Sequence, residues 1–593
     1  MARTKRRTLF LFLVLLSTVL AGPVAAGGPP DRRFGVIESY DAPAAATALG
    51  AGWTRIPFRW AEIQPTGNQE WIPPISDDAL AAEIAAGREP VGMLVTTPAW
   101  ATDLGIGPGV PLGLHLPHTN PDNQWATFVR QAVGRYAGRI NAWIIWNEPD
   151  VWDPNHPGYT WGGSVEDFLQ LLRVAYVTAK ETNPNAVILF PGTSYWWDAA
   201  YGRDLFFRRF LEVLVRDGNA VGNNYYFDAV ALHLYFQPEK IYDIIGLYHN
   251  LMRGYGFDKP IWLVETNAAP SNDPARPVPN PRFQVTLEDQ ATFIIQTFAL
   301  AIAAGASRVG VFKLIDTPGD IAANPEPFGL VRADGSRRPA FTAFQVAATY
   351  LAGFTQGRLE RRDEVAMVVV ERQGGTTTVV WSRSPSPQTV IVPARAASAL
   401  VVDQWGRRRR VRAQAGGYTL SLAGASCTNP SPCLMGGPPL LVVEGAEGAV
   451  PAPSVAPPPA SAPASPTPTP AATAPPQERT PEVQPTATPT RTPAPAPTAP
   501  VSPTPRPTAT PSPTATITPS PTATPSPTPS PEPEESPSPT PTAPKRSVAP
   551  TPTPSATRIP DPPLARGKLS LWSLPALILL LGGAILMHRK IRR

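Results

Sequence analysis

Eight short β-type runs alternate with longer segments of helical pattern between Phe34 and Phe354. This alternation favours parallel strands joined by crossover helices. Eight parallel strands close into a barrel, and about 320 residues are enough for such a barrel with elaborated loops. The sequence therefore predicts an α/β fold, a (β/α)8 TIM barrel over residues 34–354. The runs are 34–40, 53–58, 90–96, 142–147, 187–191, 227–235, 261–266 and 308–314.

The segments between these runs have the apolar stripe of amphipathic helices. In 165–181, Phe168, Leu171 and Ala175 lie on one stripe before Asn183-Pro184 ends the pattern, and 287–304 behaves likewise before Gly305. A doubly wound open sheet is the rival architecture. No Gly-x-Gly-x-x-Gly motif follows the first run to support that rival.

Both ends of the chain carry targeting signals. Residues 1–26 have a basic start, an apolar run over 9–20 and small residues at Ala25 and Ala26, which is the layout of a signal peptide. Residues 569–587 form an uncharged, mostly apolar segment long enough for a transmembrane helix. The basic tail 588–593 should stay in the cytoplasm. We therefore expect an exported protein in the cell membrane, with a single pass and an extracellular catalytic domain.

A proline-rich tract precedes the apolar segment. Residues 450–567 contain 40 of the 78 prolines, in repeats such as Ala-Thr-Pro-Ser-Pro-Thr. Such a tract cannot bury enough apolar surface to fold. Residues 449–567 are therefore predicted to be a disordered Pro/Thr/Ser-rich stalk, held extended by proline.

Short β-type runs broken by Gly, Pro and Arg follow the barrel. They predict a small antiparallel β-sandwich over 355–448, which either binds carbohydrate or buttresses the barrel. Cys427 and Cys433 bracket a short turn in this exported region, which favours a local disulfide over free thiols. The runs are 365–370, 376–382, 389–392, 399–402, 418–422 and 440–443.

The charge pattern excludes some partners. The chain has 51 Lys and Arg residues against 46 Asp and Glu residues, but the two terminal segments together hold eight of the basic ones and no acid. The remainder is slightly acidic and does not indicate a nucleic-acid partner. The basic run 407–410 reads as the solvated part of a strand or turn. Six scattered histidines, with His115 and His118 as the nearest pair, indicate neither a metal site nor a cofactor.

Two of the barrel runs end in a glutamate. Trp-Ile-Ile-Trp at 143–146 leads into Asn147, Glu148 and Pro149, and the run 261–264 leads into Glu265. A single such glutamate can simply mark where a strand meets solvent. In a barrel, however, the carboxyl ends of all strands meet at one rim, so these two would face each other across one mouth.

Other polar residues reach the same rim. Arg55 lies on the second run, and His233 and Tyr235 lie on the sixth. Combined with Trp-Asn-Glu-Pro at 146–149 and the second strand-end glutamate, they resemble clan A of the glycoside hydrolases. This is a group of retaining glycosidases on (β/α)8 barrels that includes cellulase and β-xylosidase families. The resemblance covers 34–354 and does not specify one substrate.

The resemblance implies a role for each of these side chains. Glu148 would be the general acid/base, Glu265 the nucleophile, and Asn147 the donor to the sugar 2-hydroxyl group. Arg55 and Tyr235 would keep Glu265 ionised and oriented, and His233 would support the pair. Retaining hydrolysis uses two carboxyl groups about 5 to 5.5 Å apart, one protonated and one ionised. The implied activity is hydrolysis of a β-linked oligo- or polysaccharide, without a cofactor.

Several aromatic residues follow the strand ends, where flat rings can stack on sugars. They are Trp100, Trp152, Trp161, Trp196 and Trp197. One departure from the clan pattern stands at the eighth run, where Phe312 and Lys313 replace the usual tryptophan. A rival interpretation is a cell-surface adhesin or glycan-binding protein on an inactive barrel, since a fold does not fix a function.

Overall fold

The computed structural model describes residues 29–105, 107–323, 326–427 and 433–445. Eight parallel strands form the first sheet, in the order β1-β8-β7-β6-β5-β4-β3-β2. The predicted barrel is therefore correct, and seven of its runs match strands to within a few residues. The strands are β1 Phe34–Val36, β2 Trp53–Arg59, β3 Glu89–Val95, β4 Ala142–Ile145, β5 Val187–Thr193, β6 Ala229–His233, β7 Ile261–Thr266 and β8 Ala306–Val311.

The first strand is shorter than its sequence pattern indicates. Glu38 adopts a left-handed backbone with φ 58°, and a 3-10 helix follows at Ser39–Asp41. This turn ends the strand and redirects the chain over the rim. The barrel closes between its first two strands, where the Gly52 amide donates to the Phe34 carbonyl at 2.7 Å.

Helices connect the strands on the outside of the barrel. Two of the long ones begin with a capping box, Ser164 with Asp167 and Thr286 with Asp289, in which side chains satisfy the first free amides. The helices are α1 Pro43–Leu49, α2 Trp60–Ile63, α3 Asp77–Ala85, α4 Gln124–Arg135, α5 Val165–Thr182, α6 Trp196–Ala200, α7 Phe206–Leu214, α8 Pro238–Gly254, α9 Leu287–Ala303, α10 Pro318–Ala323 and α11 Pro339–Tyr350. Further 3-10 turns lie at Ala99–Ala101 and Val221–Tyr226.

Trp53 is a large side chain in the barrel core. It is fully buried, and a β-carbon at Gly35 or Gly310 would lie 2.3 or 2.5 Å from its ring. The two glycines of β1 and β8 therefore leave the space that the indole fills. Such close packing is the usual state of a protein interior.

Two antiparallel sheets follow the barrel, as the sequence predicts. A six-stranded sheet has the order β14-β13-β16-β11-β10-β9, and β12 pairs with β15. The sequence pattern missed β9, because none of its residues is buried and its apolar residues do not alternate. It left β14 open between a strand and a turn, because the basic run 407–410 has no apolar residue. The strands are β9 Phe354–Arg361, β10 Val365–Arg372, β11 Gly375–Ser382, β12 Gln388–Pro393, β13 Ser398–Asp403, β14 Arg408–Arg412, β15 Gly417–Leu422 and β16 Leu440–Gly445.

The β-sandwich packs against α9 of the barrel. Thr292 donates to Gln404 Oε1 at 2.8 Å, and Gln296 donates to the Gly437 carbonyl at 2.8 Å. These bonds satisfy two polar side chains of α9, a helix whose residues are nearly all buried. Cys427 and Cys433, between β15 and β16 in the chain, form a disulfide.

Several predicted segments lie outside the described residues: the signal peptide 1–26, the stalk 449–567, the transmembrane helix 569–587 and the tail 588–593. Within the residues that the structure describes, no helix combines the length and the apolar character needed to cross a membrane.

Candidate active site

Glu148 lies three residues beyond the end of β4. Its backbone is left-handed, with φ 45°, and its amide donates to the Gly192 carbonyl at the end of β5, at 2.9 Å. The preceding Trp146 is also left-handed and donates from its indole to the Thr160 carbonyl at 2.9 Å. This turn points the Glu148 carboxyl group into the barrel mouth, where only 1% of the residue is exposed.

Glu265 lies within β7, and its carboxylate has two partners. Arg55, from β2, donates a hydrogen bond to Oε1 and forms a buried ion pair. The Tyr235 hydroxyl donates to Oε2 at 2.5 Å. The two donors come from β2 and from the loop after β6, so both oxygens are held and the carboxylate has a fixed orientation.

His233, the last residue of β6, contacts both glutamates. Its Nδ1 lies 2.8 Å from Glu148 Oε1 and 3.6 Å from Glu265 Oε2. The other face of the ring packs on Gly192, where an added β-carbon would lie 2.1 Å from Nε2. Gly192 therefore makes the space that lets the imidazole reach Glu148.

The two carboxyl groups lie close together, but their pKa values are shifted in opposite directions. One oxygen of Glu148, one oxygen of Glu265 and one His233 nitrogen all lie within 4.8 Å of one another. Burial raises the pKa of Glu148, and the negative charge of Glu265 raises it further. The hydrogen bond from His233 lowers this pKa and offsets part of the rise. Burial would also raise the pKa of Glu265, but the charge of Arg55 and its other donors hold it below the usual value. Such a pair is built to hold one proton.

The same three side chains are close enough to ligate a metal ion. The guanidinium of Arg55 already neutralises Glu265, however, and would repel a divalent cation beside it. The donor set therefore fits a proton-holding carboxyl pair better than a cation site.

The remaining predicted residues lie around this pair. Asn147 is half-buried next to Glu148, and its side-chain amide has no hydrogen-bond partner among the described residues. Trp152 and Trp196 are partly exposed in the rim loops, and Trp100 lines a neighbouring cleft. Trp161 and Trp197 are each only 3% exposed. These two rings pack the loops together and have no face free for a sugar.

Phe312 and Lys313, where the sequence departs from the clan pattern, directly follow β8. Phe312 is partly exposed and packs edge-on against Tyr235, with ring centroids 6.5 Å apart. Lys313 is buried, contacts Glu38, and lies 3.0 Å from Asp320 Oδ2. The lysine charge is therefore neutralised within the rim, while the Phe312 ring forms part of the wall behind Tyr235.

Asp150 is a site residue that sequence reasoning missed. Its Oδ2 accepts from the Ser194 amide at 2.8 Å, the Ser194 hydroxyl at 2.9 Å and the Tyr195 amide at 3.1 Å. Burial, with the charges of Asp198 and Glu148, raises the pKa of Asp150 to about 7. This carboxyl group ties the loop after β4 to the loop after β5. Its position directly after Asn147-Glu148-Pro149 could have identified Asp150 as a site residue from the sequence.

The fold is similar to that of a solved glycoside hydrolase. A family 39 glycoside hydrolase from the gut symbiont Bacteroides cellulosilyticus WH2 superposes with a TM-score of 0.51 at 17% sequence identity, over 70% of this chain and 81% of that chain. The fold of this chain is therefore similar to that of a family 39 glycoside hydrolase.

Two further solved structures match the chain with lower TM-scores. A monomeric β-xylosidase from Caulobacter crescentus CB15 has a TM-score of 0.45 at 15% identity, over 71% of this chain and 97% of that chain. A GH30 endoxylanase from Clostridium papyrosolvens C71 has a TM-score of 0.46 at 11% identity, over 71% and 98%. No protein-family model and no curated protein matches the sequence.

Proposed function

We propose that this protein is a retaining glycoside hydrolase that cleaves O-glycosidic bonds of a β-linked oligo- or polysaccharide by double displacement. The observation that carries the proposal is the pair Glu148 and Glu265, with oxygens within 4.8 Å and pKa values displaced in opposite directions. Retaining enzymes use carboxyl groups about 5 to 5.5 Å apart, whereas inverting enzymes need about 6.5 to 9.5 Å to admit a water.

In the first step, Glu265 attacks the anomeric carbon while Glu148 gives its proton to the leaving oxygen. The bond to the leaving group breaks, and a covalent glycosyl-enzyme forms on Glu265. Arg55 and Tyr235 keep Glu265 ionised and aimed before the attack. Asn147, with its free amide, is placed to donate to the 2-hydroxyl group of the sugar.

In the second step, Glu148 acts as a base. The Glu265 charge is one cause of the raised pKa of Glu148, and that charge disappears when Glu265 becomes an ester. The pKa of Glu148 therefore falls once the intermediate has formed. Glu148 can then take a proton from water, which attacks the anomeric carbon and releases Glu265.

The test of this proposal is the configuration of the first-formed product. Proton NMR of a β-glycoside during hydrolysis by the chain should show the β-anomer first, followed by mutarotation. A product that forms first as the α-anomer would exclude the double displacement. Glycan binding without any hydrolysis would favour the inactive adhesin.

We further propose the layout of the whole chain. A signal peptide at 1–26, the barrel at 34–354, the β-sandwich at 355–448, the stalk at 449–567 and a helix at 569–587 would hold the enzyme outside the cell. The support is the sequence pattern of each segment. A chain that ends before Leu569 should appear in the medium, and limited proteolysis should cut within 449–567. A truncated chain that stays on the membrane would contradict the single anchor.

A further inference from the structure

An open cleft of about 520 Å³ lies between the loops that follow β2 and β3. Neither Glu148 nor Glu265 lines it. Both loops leave the carboxyl ends of their strands, so the cleft opens on the same rim as the two carboxyl groups. Its side chains include Trp100, Leu112 and Leu116, together with the amides of Asn68 and Gln124.

Trp100 is held rigidly in this cleft. Its indole nitrogen donates to the Gln64 carbonyl at 2.7 Å, and its ring stands edge-on to the buried Trp60, with centroids 5.7 Å apart. Gln64 is itself fully buried and accepts from the Trp60 indole at 2.8 Å. The partly exposed ring is thus fixed before any ligand arrives, which lowers the entropic cost of stacking on it.

Apart from Asp122, the polar side chains that line the cleft are the neutral amides of Asn68 and Gln124. Asn68 Nδ2 donates to Gln124 Oε1 at 3.2 Å, which aligns the two amide groups side by side. Among the described residues that line the cleft there is no Lys, Arg or His, and Asp122 is the one ionisable side chain. A phosphate or acidic sugar has no cation to bind there. The amides, in turn, would be left without partners beneath a lipid chain.

A flat aromatic ring beside planar amide donors and acceptors fits a neutral sugar, which has an apolar face and a ring of hydroxyl groups. We infer that this cleft binds a neutral pentose or hexose unit of the same glycan whose bond is cleaved between Glu148 and Glu265. The inference rests on the proposed function for the identity of that glycan. It makes the substrate an extended neutral chain rather than a disaccharide.

The test uses the full chain carrying Glu265→Gln, which binds without turnover. Isothermal titration with xylohexaose, cellohexaose and mannohexaose, and with the matching disaccharides, measures the dependence of affinity on chain length. At least one hexasaccharide should bind about tenfold more tightly than its disaccharide. Trp100→Ala should remove most of that difference, while Trp100→Phe, which keeps a flat ring, should retain part of it.

Trp405→Ala is the matched control, because Trp405 is a partly exposed tryptophan on the β-sandwich. It should leave the hexasaccharide affinity intact. Asn68→Ala and Gln124→Ala probe the same cleft without disturbing the Trp60 contact, should Trp100→Ala fail to fold. The inference is overturned if no hexasaccharide binds more tightly than its disaccharide, or if the cleft variants behave like Trp405→Ala.

Hydrolysis of aryl β-glycosides by the chain without the Glu265 change separates the two proposals. If hexasaccharide binding depends on Trp100 but no hydrolysis occurs, the sugar-binding role of the cleft is supported and the proposed function is refuted. Hydrolysis with no dependence of binding on Trp100 would do the opposite.

Discussion

One imidazole touches both candidate carboxyl groups: His233 Nδ1 lies 2.8 Å from Glu148 Oε1 and 3.6 Å from Glu265 Oε2. Burial raises the pKa of Glu148, and the His233 hydrogen bond opposes part of that rise. The pKa of Glu265 is lowered chiefly by Arg55 against the effect of burial, and His233 contributes to that lowering. A substitution of His233 should therefore shift both the acidic and the alkaline limb of the pH profile of kcat/KM.

His233→Ala should shift both limbs of the kcat/KM profile to higher pH. Without the imidazole, the pKa of Glu148 rises further. Glu148 then stays protonated to higher pH, so the alkaline limb moves to higher pH. The pKa of Glu265 also rises, so the acidic limb moves up as well. Gly192→Ala should cause similar shifts, because its β-carbon would displace the ring. Gly218→Ala, where an added β-carbon meets nothing within 4 Å, is the control. Unmoved limbs in both site variants would refute the role of His233.

Arg55→Ala should raise the pKa of Glu265 and move the acidic limb to higher pH, with a large loss of kcat/KM. It removes one partner of a buried ion pair, which typically costs about 3 to 5 kcal/mol of stability. Arg88→Ala is the matched control, because Arg88 forms a buried pair with Glu83, with N to O distances of 2.6 and 2.9 Å. Urea unfolding should show both variants destabilised. If Arg88→Ala shifts the acidic limb equally, the shift does not arise from Glu265.

Asp150→Asn should become more stable relative to wild type as pH rises from 5 to 8. Burial raises the pKa of Asp150 to about 7 in the folded state. In the unfolded chain, Asp150 ionises at a lower pH. Wild type therefore loses stability over this range, and asparagine cannot ionise. Asp150→Ala leaves Ser194 and Tyr195 without their acceptor and should lower kcat/KM more than Asp150→Asn does. Urea unfolding at both pH values and steady-state kinetics test this. An equal loss of kcat/KM would show that the acceptor does not position the loops.

Glu265→Ala and Glu148→Ala should fail at different steps. Glu265→Ala cannot form the glycosyl-enzyme, so it should be nearly inactive, and azide should give a product of inverted configuration. Glu148→Ala should still cleave aryl glycosides with good leaving groups, then stall until azide releases a product of retained configuration. Loss of a positioned acid/base typically costs about 10²- to 10⁴-fold on unactivated bonds. Turnover of an unactivated glycoside at the wild-type rate by either variant would refute the assignment.

Local patterns in the chain were enough to predict most of the barrel. The run 261–266 matches β7 at both ends, and 165–181 matches α5 to within one residue. The strand that escaped prediction is β9, and the pattern at 407–410 did not decide between a strand and a turn at β14, because both segments lack the alternation that marks a half-buried strand. Their positions depend on pairing with β10 and β13, which is a long-range property.

The sequence by itself determined that Glu148 and Glu265 follow apolar strands, because a buried parallel strand requires a continuous apolar run. Only the tertiary structure decided how these carboxyl groups titrate. That depends on Arg55 and His233 from β2 and β6, on Tyr235 from the loop after β6, and on distances of a few ångströms. It also depends on Gly192 leaving space for an imidazole that is 41 residues distant in the chain. Electrostatic effects act through space in a buried environment, so they follow the packing of the barrel and not the order of its residues.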